Sequence, residues 1–174
     1  MRLAAATILL ASLSIGLHAQ REVRERPPLD VMLDKLVGDW TMSGVALGKP
    51  VEYRMDARRT LQGKYVEMHM TDVARPPQYE ARVFIGTDTT DRGYIAHWLD
   101  NFGASFSVPH ATGGLRGDTV SLMFPYSNGN FRDTFVYDAS SDSWTFRLES
   151  AAGAGWKLFA QFQVKRRPAA TPAP

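Results

Sequence analysis

From Trp40 to Arg166 apolar and polar residues alternate with a period of two. Val51, Tyr53, Met55 and Ala57 are separated by Glu52, Arg54 and Asp56, and Val66, Met68 and Met70 by Glu67 and His69. Tyr79, Ala81, Val83 and Ile85 share a face, as do Val120, Leu122 and Phe124, and again Trp144, Phe146 and Leu148. The last run sets Trp156, Leu158, Ala160, Phe162 and Val164 against Lys157, Gln161 and Gln163. A strand carries this pattern when one face is dry and the other wet. Gly, Pro, Asn and Asp clusters punctuate the runs, at Gly48-Lys49-Pro50, Asp91-Arg92-Gly93 and Ser127-Asn128-Gly129-Asn130 among others. These residue types serve turns. The spacing predicts ten strands at 40–47, 51–61, 64–73, 79–87, 93–100, 104–109, 118–124, 131–138, 143–150 and 156–166. Ahead of them Leu29, Met32, Leu33 and Leu36 fall on one face of a short helix, which Gly38 ends.

Ten strands with one apolar face each must hide ten apolar stripes. A sheet closed on itself does so and also removes the unpaired edges. No long crossover interrupts the series. The expected fold is therefore all-β, a ten-stranded antiparallel up-and-down barrel with one short N-terminal helix. A barrel of that strand number has room for a small ligand as well as side chains.

The first residues follow a different rule. Met1–Ala19 opens on Arg2, runs through an apolar stretch from Leu3 to Leu17 and ends on a small residue, Ala19. That order reads as a secretory signal peptide, too short to span a bilayer comfortably. The expected layout is signal peptide 1–19, flexible segment 20–28, barrel 29–167 and disordered tail 168–174, with a periplasmic or secreted destination. No second apolar run approaches the first in length, so no integral membrane segment is expected after its removal. The chain has no cysteine, so thiol chemistry and disulfides are absent. Nine Phe, six Tyr and four Trp supply the buried area instead. The formal charge is only +2 and the charges are mixed along the chain, so nothing forms the basic stripe that nucleic acid demands.

Gly38-Asp39-Trp40, just after the helix and opening the first strand, resembles the Gly-x-Trp start of the lipocalin and fatty-acid-binding superfamily, the calycins. Gly93-Tyr94, Trp98-x-Asp100-x-x-Gly103 and Asp142-x-Trp144 look like a group of exported bacterial calycin-like proteins of unknown function. The resemblance covers roughly residues 29–167. It implies that a basic residue at the end of the last strand, Lys165 or Arg166, packs across Trp40 at the closed end, which makes Gly38, Trp40 and Arg166 the closure set. Nitrobindin-like barrels share the strand number and the Gly-x-Trp start but bind haem through a His near the C-terminus. Here no His follows His110, so haem is not expected by that route, and no other cofactor is implied.

The candidate ligand-binding residues are Tyr53, Met55, Met68, Met70, His97, Trp98, Asp100, Asp133, Phe135 and Tyr137. Most belong to the apolar parity, and His97, Asp100 and Asp133 are the polar groups that would orient a ligand. His97 shares a face with Ile95 and Leu99, which suggests partial burial. Asp100 either opens the turn to Gly103 or lies inward with Trp98. Asp133 alternates with Phe131, Phe135 and Tyr137, so it needs a partner, for which Arg54, Arg82, Arg132 and Arg147 are available. Met68-His69-Met70 invites a copper reading, but the methionines point opposite to the histidine. They read as core, and no metal site is expected. No nucleophile elbow, zinc-protease motif or phosphate loop occurs. Three functions remain: a binding barrel for a small apolar or amphipathic molecule, an enzyme using Asp133 or Asp100 with His97, and a filled barrel that binds partners through loops 101–117 or 125–131.

Overall fold

The computed structural model describes residues 28–88, 90 and 93–168. The expected signal peptide, segment 20–27 and the tail beyond 168 lie outside the described residues. Helix α1 (Pro28–Leu36) is followed by β1 (Gly38–Ala46), β2 (Lys49–Thr60), β3 (Tyr65–Asp72), β4 (Glu80–Asp88), β5 (Gly93–Asp100), β6 (Ala111–Arg116), β7 (Thr119–Phe124), β8 (Phe131–Asp138), β9 (Ser143–Ala152) and β10 (Gly155–Arg166). Each strand pairs antiparallel with the next, and β10 returns to β1 to close the barrel. The seam is long, running from Trp40 opposite Arg166 to Ala46 opposite Ala160.

The period-two pattern sets the two faces. Met42, Met55, Met68, Val83, Ala96, Val120, Phe135, Phe146 and Val164 are buried inside, while their polar neighbours face out. The inner side chains fill the middle of the barrel. Phe135 and Phe146 lie with ring centroids 4.1 Å apart across β8 and β9.

Two expectations need correction. The sixth strand is not at 104–109 but at Ala111–Arg116. Ala104–Phe106 instead forms a single 3-10 turn, entered through Gly103 at φ 114°. Pro109 follows, with no N–H for a ladder. The true strand, Ala-Thr-Gly-Gly-Leu-Arg, lacks the alternation that would have announced it. It meets β5 at only three positions, Tyr94–Gly113, Ile95–Thr112 and Ala96–Ala111. The second correction concerns β10. A bulge between Leu158 and Ala160 adds a residue and reverses the parity before it. Trp156 therefore lies outside, under the Arg132 guanidinium at 4.3 Å, and Leu158 is 39% exposed. Only Ala160, Phe162 and Val164 of that run point inward.

Helix α1 plugs one end. Met32, Leu33 and Leu36 are buried against the barrel. Trp40 Nε1 donates to Leu36 O at 2.7 Å and Trp144 Nε1 to Lys35 O at 3.4 Å, which ties the helix to two strands. Arg59 of β2 holds the helix from the side, with Nη2 2.8 Å from Asp34 Oδ1. The Arg166 guanidinium lies 4.2 Å from the Trp40 ring centroid, donates to Val37 O at 3.0 Å and pairs with Asp142. Gly38 permits this. It sits at φ +141°, and a Cβ there would fall 2.2 Å from Arg166 Nη1.

Gly38→Ala must therefore displace Arg166 from Trp40. The expected loss is about 1–3 kcal/mol, as for other overpacked sites. Arg166→Ala, which removes the cation–π contact, the exposed ion pair and the hydrogen bond to Val37 O but forces no overlap, should lose about 1 kcal/mol. Urea unfolding followed by tryptophan fluorescence checks both, and equal losses would contradict the assignment of Gly38.

Candidate functional site

The opposite end of the barrel carries the inward polar groups. β2 contributes Tyr53, the segment before β4 Tyr79, β5 Trp98 and Asp100, the β7–β8 turn Tyr126, and β8 Phe131 and Asp133. Aromatic contacts link these elements into a collar. On one arc Phe162, Tyr53, Tyr79 and Phe102 follow one another at centroid distances of 5.5, 5.3 and 5.6 Å. On the other, Phe124, Tyr126, Phe131 and Phe159 follow at 6.2, 6.4 and 5.3 Å. Phe159 is the bulge residue of β10, so the bulge supplies a ring that regular alternation would have sent outside.

Asp100 does two things at once. Its Oδ1 accepts from Phe102 N at 3.1 Å and its carbonyl from Gly103 N at 3.2 Å, which builds the turn. The Tyr79 hydroxyl and the Trp98 indole favour its ionised form. Trp98 Nε1 in turn donates to Tyr79 Oη at 3.1 Å. Burial raises the Asp100 carboxyl above its usual range, opposed by these donors.

Asp133 is the exception in the barrel. It is 1% exposed, and neither carboxyl oxygen has a hydrogen-bond partner. Its strand neighbours are Leu122 and Leu148. None of the arginines expected as partners reaches it. Arg132 and Arg147 pair outside with Glu149, Arg82 pairs outside with Glu67, and Arg54 is exposed on the outer wall. The arginines all occupy the polar parity, so an inward carboxylate on the apolar parity meets only apolar walls. Burial alone pushes the Asp133 carboxyl well above its usual range, which favours its protonated form.

The charge environment differs between the two ends. Burial raises the Tyr53, Tyr79 and Tyr126 hydroxyls, and the charges that raise them further are Asp72 at Tyr53 and both Asp100 and Asp133 at Tyr79 and Tyr126. Among the described residues neither Asp100 nor Asp133 takes part in an ion pair. At the helix end Tyr94 feels Arg59, and Tyr137 feels Arg166.

The other sequence candidates fall elsewhere. Met55, Met68, Met70 and Phe135 are buried in the barrel wall. Tyr137 belongs to the helix end, where it donates to Asp142 Oδ1 at 2.9 Å and lies 5.7 Å from Lys35 Nζ. His97 is exposed on the outer wall beside Leu99, with the His110 ring 5.8 Å away, rather than partly buried. It is on the opposite face of β5 from Asp100 and cannot serve either carboxyl. His69 also faces out, 2.7 Å from Glu80 Oε1. No group of three or more metal-ligating side chains occurs among the described residues. A groove of about 460 Å³ lies on the outer wall of β2 and β3, lined by Arg54, Asp56, Thr71, Asp72, Arg75 and Pro77, with both signs of charge represented. Sequence reasoning missed Tyr79, Phe102, Tyr126, Phe131 and Phe159 as collar members. Tyr79 and Phe131 carried a signal, being in parity with inward neighbours; the turn residues and the bulge carried none.

A protonated Asp133 makes stability depend on pH. Its folded pKa is raised above the ordinary 3.8, so the unfolded chain loses this proton first as pH climbs. The penalty is absent below about pH 4 and grows by roughly 1.4 kcal/mol per pH unit until the folded carboxyl itself ionises. Asp133→Asn removes that dependence. The variant's stability relative to the parent should rise as the pH climbs above about 4 in urea unfolding, and a difference that stays flat with pH would refute the raised carboxyl. No protein-family model matches this chain and no curated protein matches it, so the chemistry of the mouth carries the functional reading.

Proposed function

We propose that this chain is an exported, calycin-like binding protein that takes a small apolar or amphipathic molecule at the barrel mouth opposite α1. The observation that supports this most directly is Asp133, buried beneath an aromatic collar with both oxygens unpaired. Leaving such a group without a hydrogen bond costs about 1–3 kcal/mol, and a leucine at that position would cost nothing comparable. A ligand polar group at Asp133 offsets this penalty. The collar supplies flat apolar surface for the body of the ligand, and Tyr79, Trp98 and Asp100 supply a few directional contacts at its rim. Asp133 is closed off from solvent, so entry requires side chains at the mouth to part. Export rests on the Met1–Ala19 pattern, and the calycin reading on Gly38-x-Trp40 and Arg166 at the closed end.

A second reading draws on a different observation. Phe102, Phe106 and Val108 are 58%, 59% and 79% exposed on the β5–β6 connection beside the mouth. An apolar patch of this kind suits a protein partner. The enzyme reading loses the histidine it relied on, because His97 is outside.

Native mass spectrometry of protein purified from its host should show a non-covalent small-molecule adduct that denaturation releases. Asp133→Leu should fold, gain stability at pH 7 and lose the adduct. A parent protein free of any adduct, or a leucine variant that keeps it, would overturn the proposal.

A further inference from the structure

The mouth collects carboxyl groups without a counter-ion. Asp133 has no hydrogen-bond partner, and the Asp100 carboxyl accepts from a neutral donor, Phe102 N. Arginines are numerous in this chain, but those beside the mouth strands lie on the outer wall with carboxylate partners of their own or in solvent. Eight aromatic rings form the collar at this end, and their faces carry negative quadrupole charge.

We propose that the ligand is an organic cation, a primary ammonium on a small apolar body, with its N–H groups donating to Asp133 and Asp100 and the collar rings covering the charge. This deepens the binding reading above and rests on it. A desolvated ammonium gains both from an ion pair and from ring faces, each stronger here than at an open surface. A carboxylate or phosphate ligand would meet carboxyl groups at Asp133 and Asp100 in place of a cation. A bare metal ion is a poorer fit, since two carboxyls and phenols do not replace the six to eight oxygen ligands that Ca²⁺ takes, and rings do not coordinate it.

The ammonium pairs with the ionised acid, so binding drives the proton from Asp133 into solvent. For each ammonium bound, one proton leaves the carboxyl and the net charge of the buried pair is zero. A neutral alcohol of the same shape instead hydrogen-bonds to the protonated acid and releases none.

Isothermal titration calorimetry at pH 7 in phosphate and in Tris separates these cases. The probes are 2-phenylethylamine, tryptamine and octylamine, each beside the alcohol and the carboxylic acid of matching size. The expected result is that at least one amine binds ten-fold or more tightly than its alcohol, with about one proton released, and that the acids do not bind. Asp133→Asn should remove ten-fold or more of amine affinity and leave the alcohol unchanged. The wild-type comparison of amine, alcohol and proton release stands even if the variant does not fold. Alcohols or acids binding as well as amines, or amine binding with no proton release, would overturn the cation and leave the barrel reading intact. Failure of every probe overturns the cation as well, and if the host-purified protein also carries no adduct, the binding reading falls with it.

Discussion

The return of β10 to β1 is the constraint on which the rest of this structure depends. Once that seam closes, every strand has a neighbour on both sides and every inner side chain shares one enclosed space. An open sheet with the same alternation would have left an apolar face bare to water and unpaired backbone at two edges. Closure also fixes the ends. The helix is held at one because Trp40 and Trp144 present indole N–H groups to its last carbonyls, and the Gly38 backbone leaves room for Arg166 to cover Trp40. The other end is left to aromatic rings.

Much of this was legible in the chain, because the physics that sets it is local. A period of two needs only the knowledge that one face is dry, so Tyr53, Met55, Met68, Met70 and Asp133 could be placed inward without any contact map. The failures have equally specific causes. β6 carries two glycines and no alternation, so burial left no trace there. The bulge at Phe159 shifts parity by one, and no residue type announces an inserted residue in advance. His97 was misplaced because Ile95 and Leu99 suggested a buried face, whereas Leu99 is 46% exposed and the dry face of β5 is that of Tyr94, Ala96 and Trp98. The isolation of Asp133 was beyond the sequence altogether, since it depends on where four arginines point.

The two ends of the barrel divide the charge between them. Near the helix, Arg59, Lys35 and Arg166 meet Asp34, Asp142 and the π-faces of Tyr137 and Trp40. There the cations have structural employment. At the mouth, carboxyls keep company with phenols and an indole. A chain close to neutral overall thus presents a polarised interior, which its net charge conceals.

The three-residue junction between β5 and β6 gives this polarity a mechanical setting. The last four residues of β5, His97 to Asp100, are laddered to β4 but run past the end of β6. The stave that bears Trp98 and Asp100 is thus stitched along one margin only. The lip of the barrel therefore holds fewer ladder bonds on this side than its waist does.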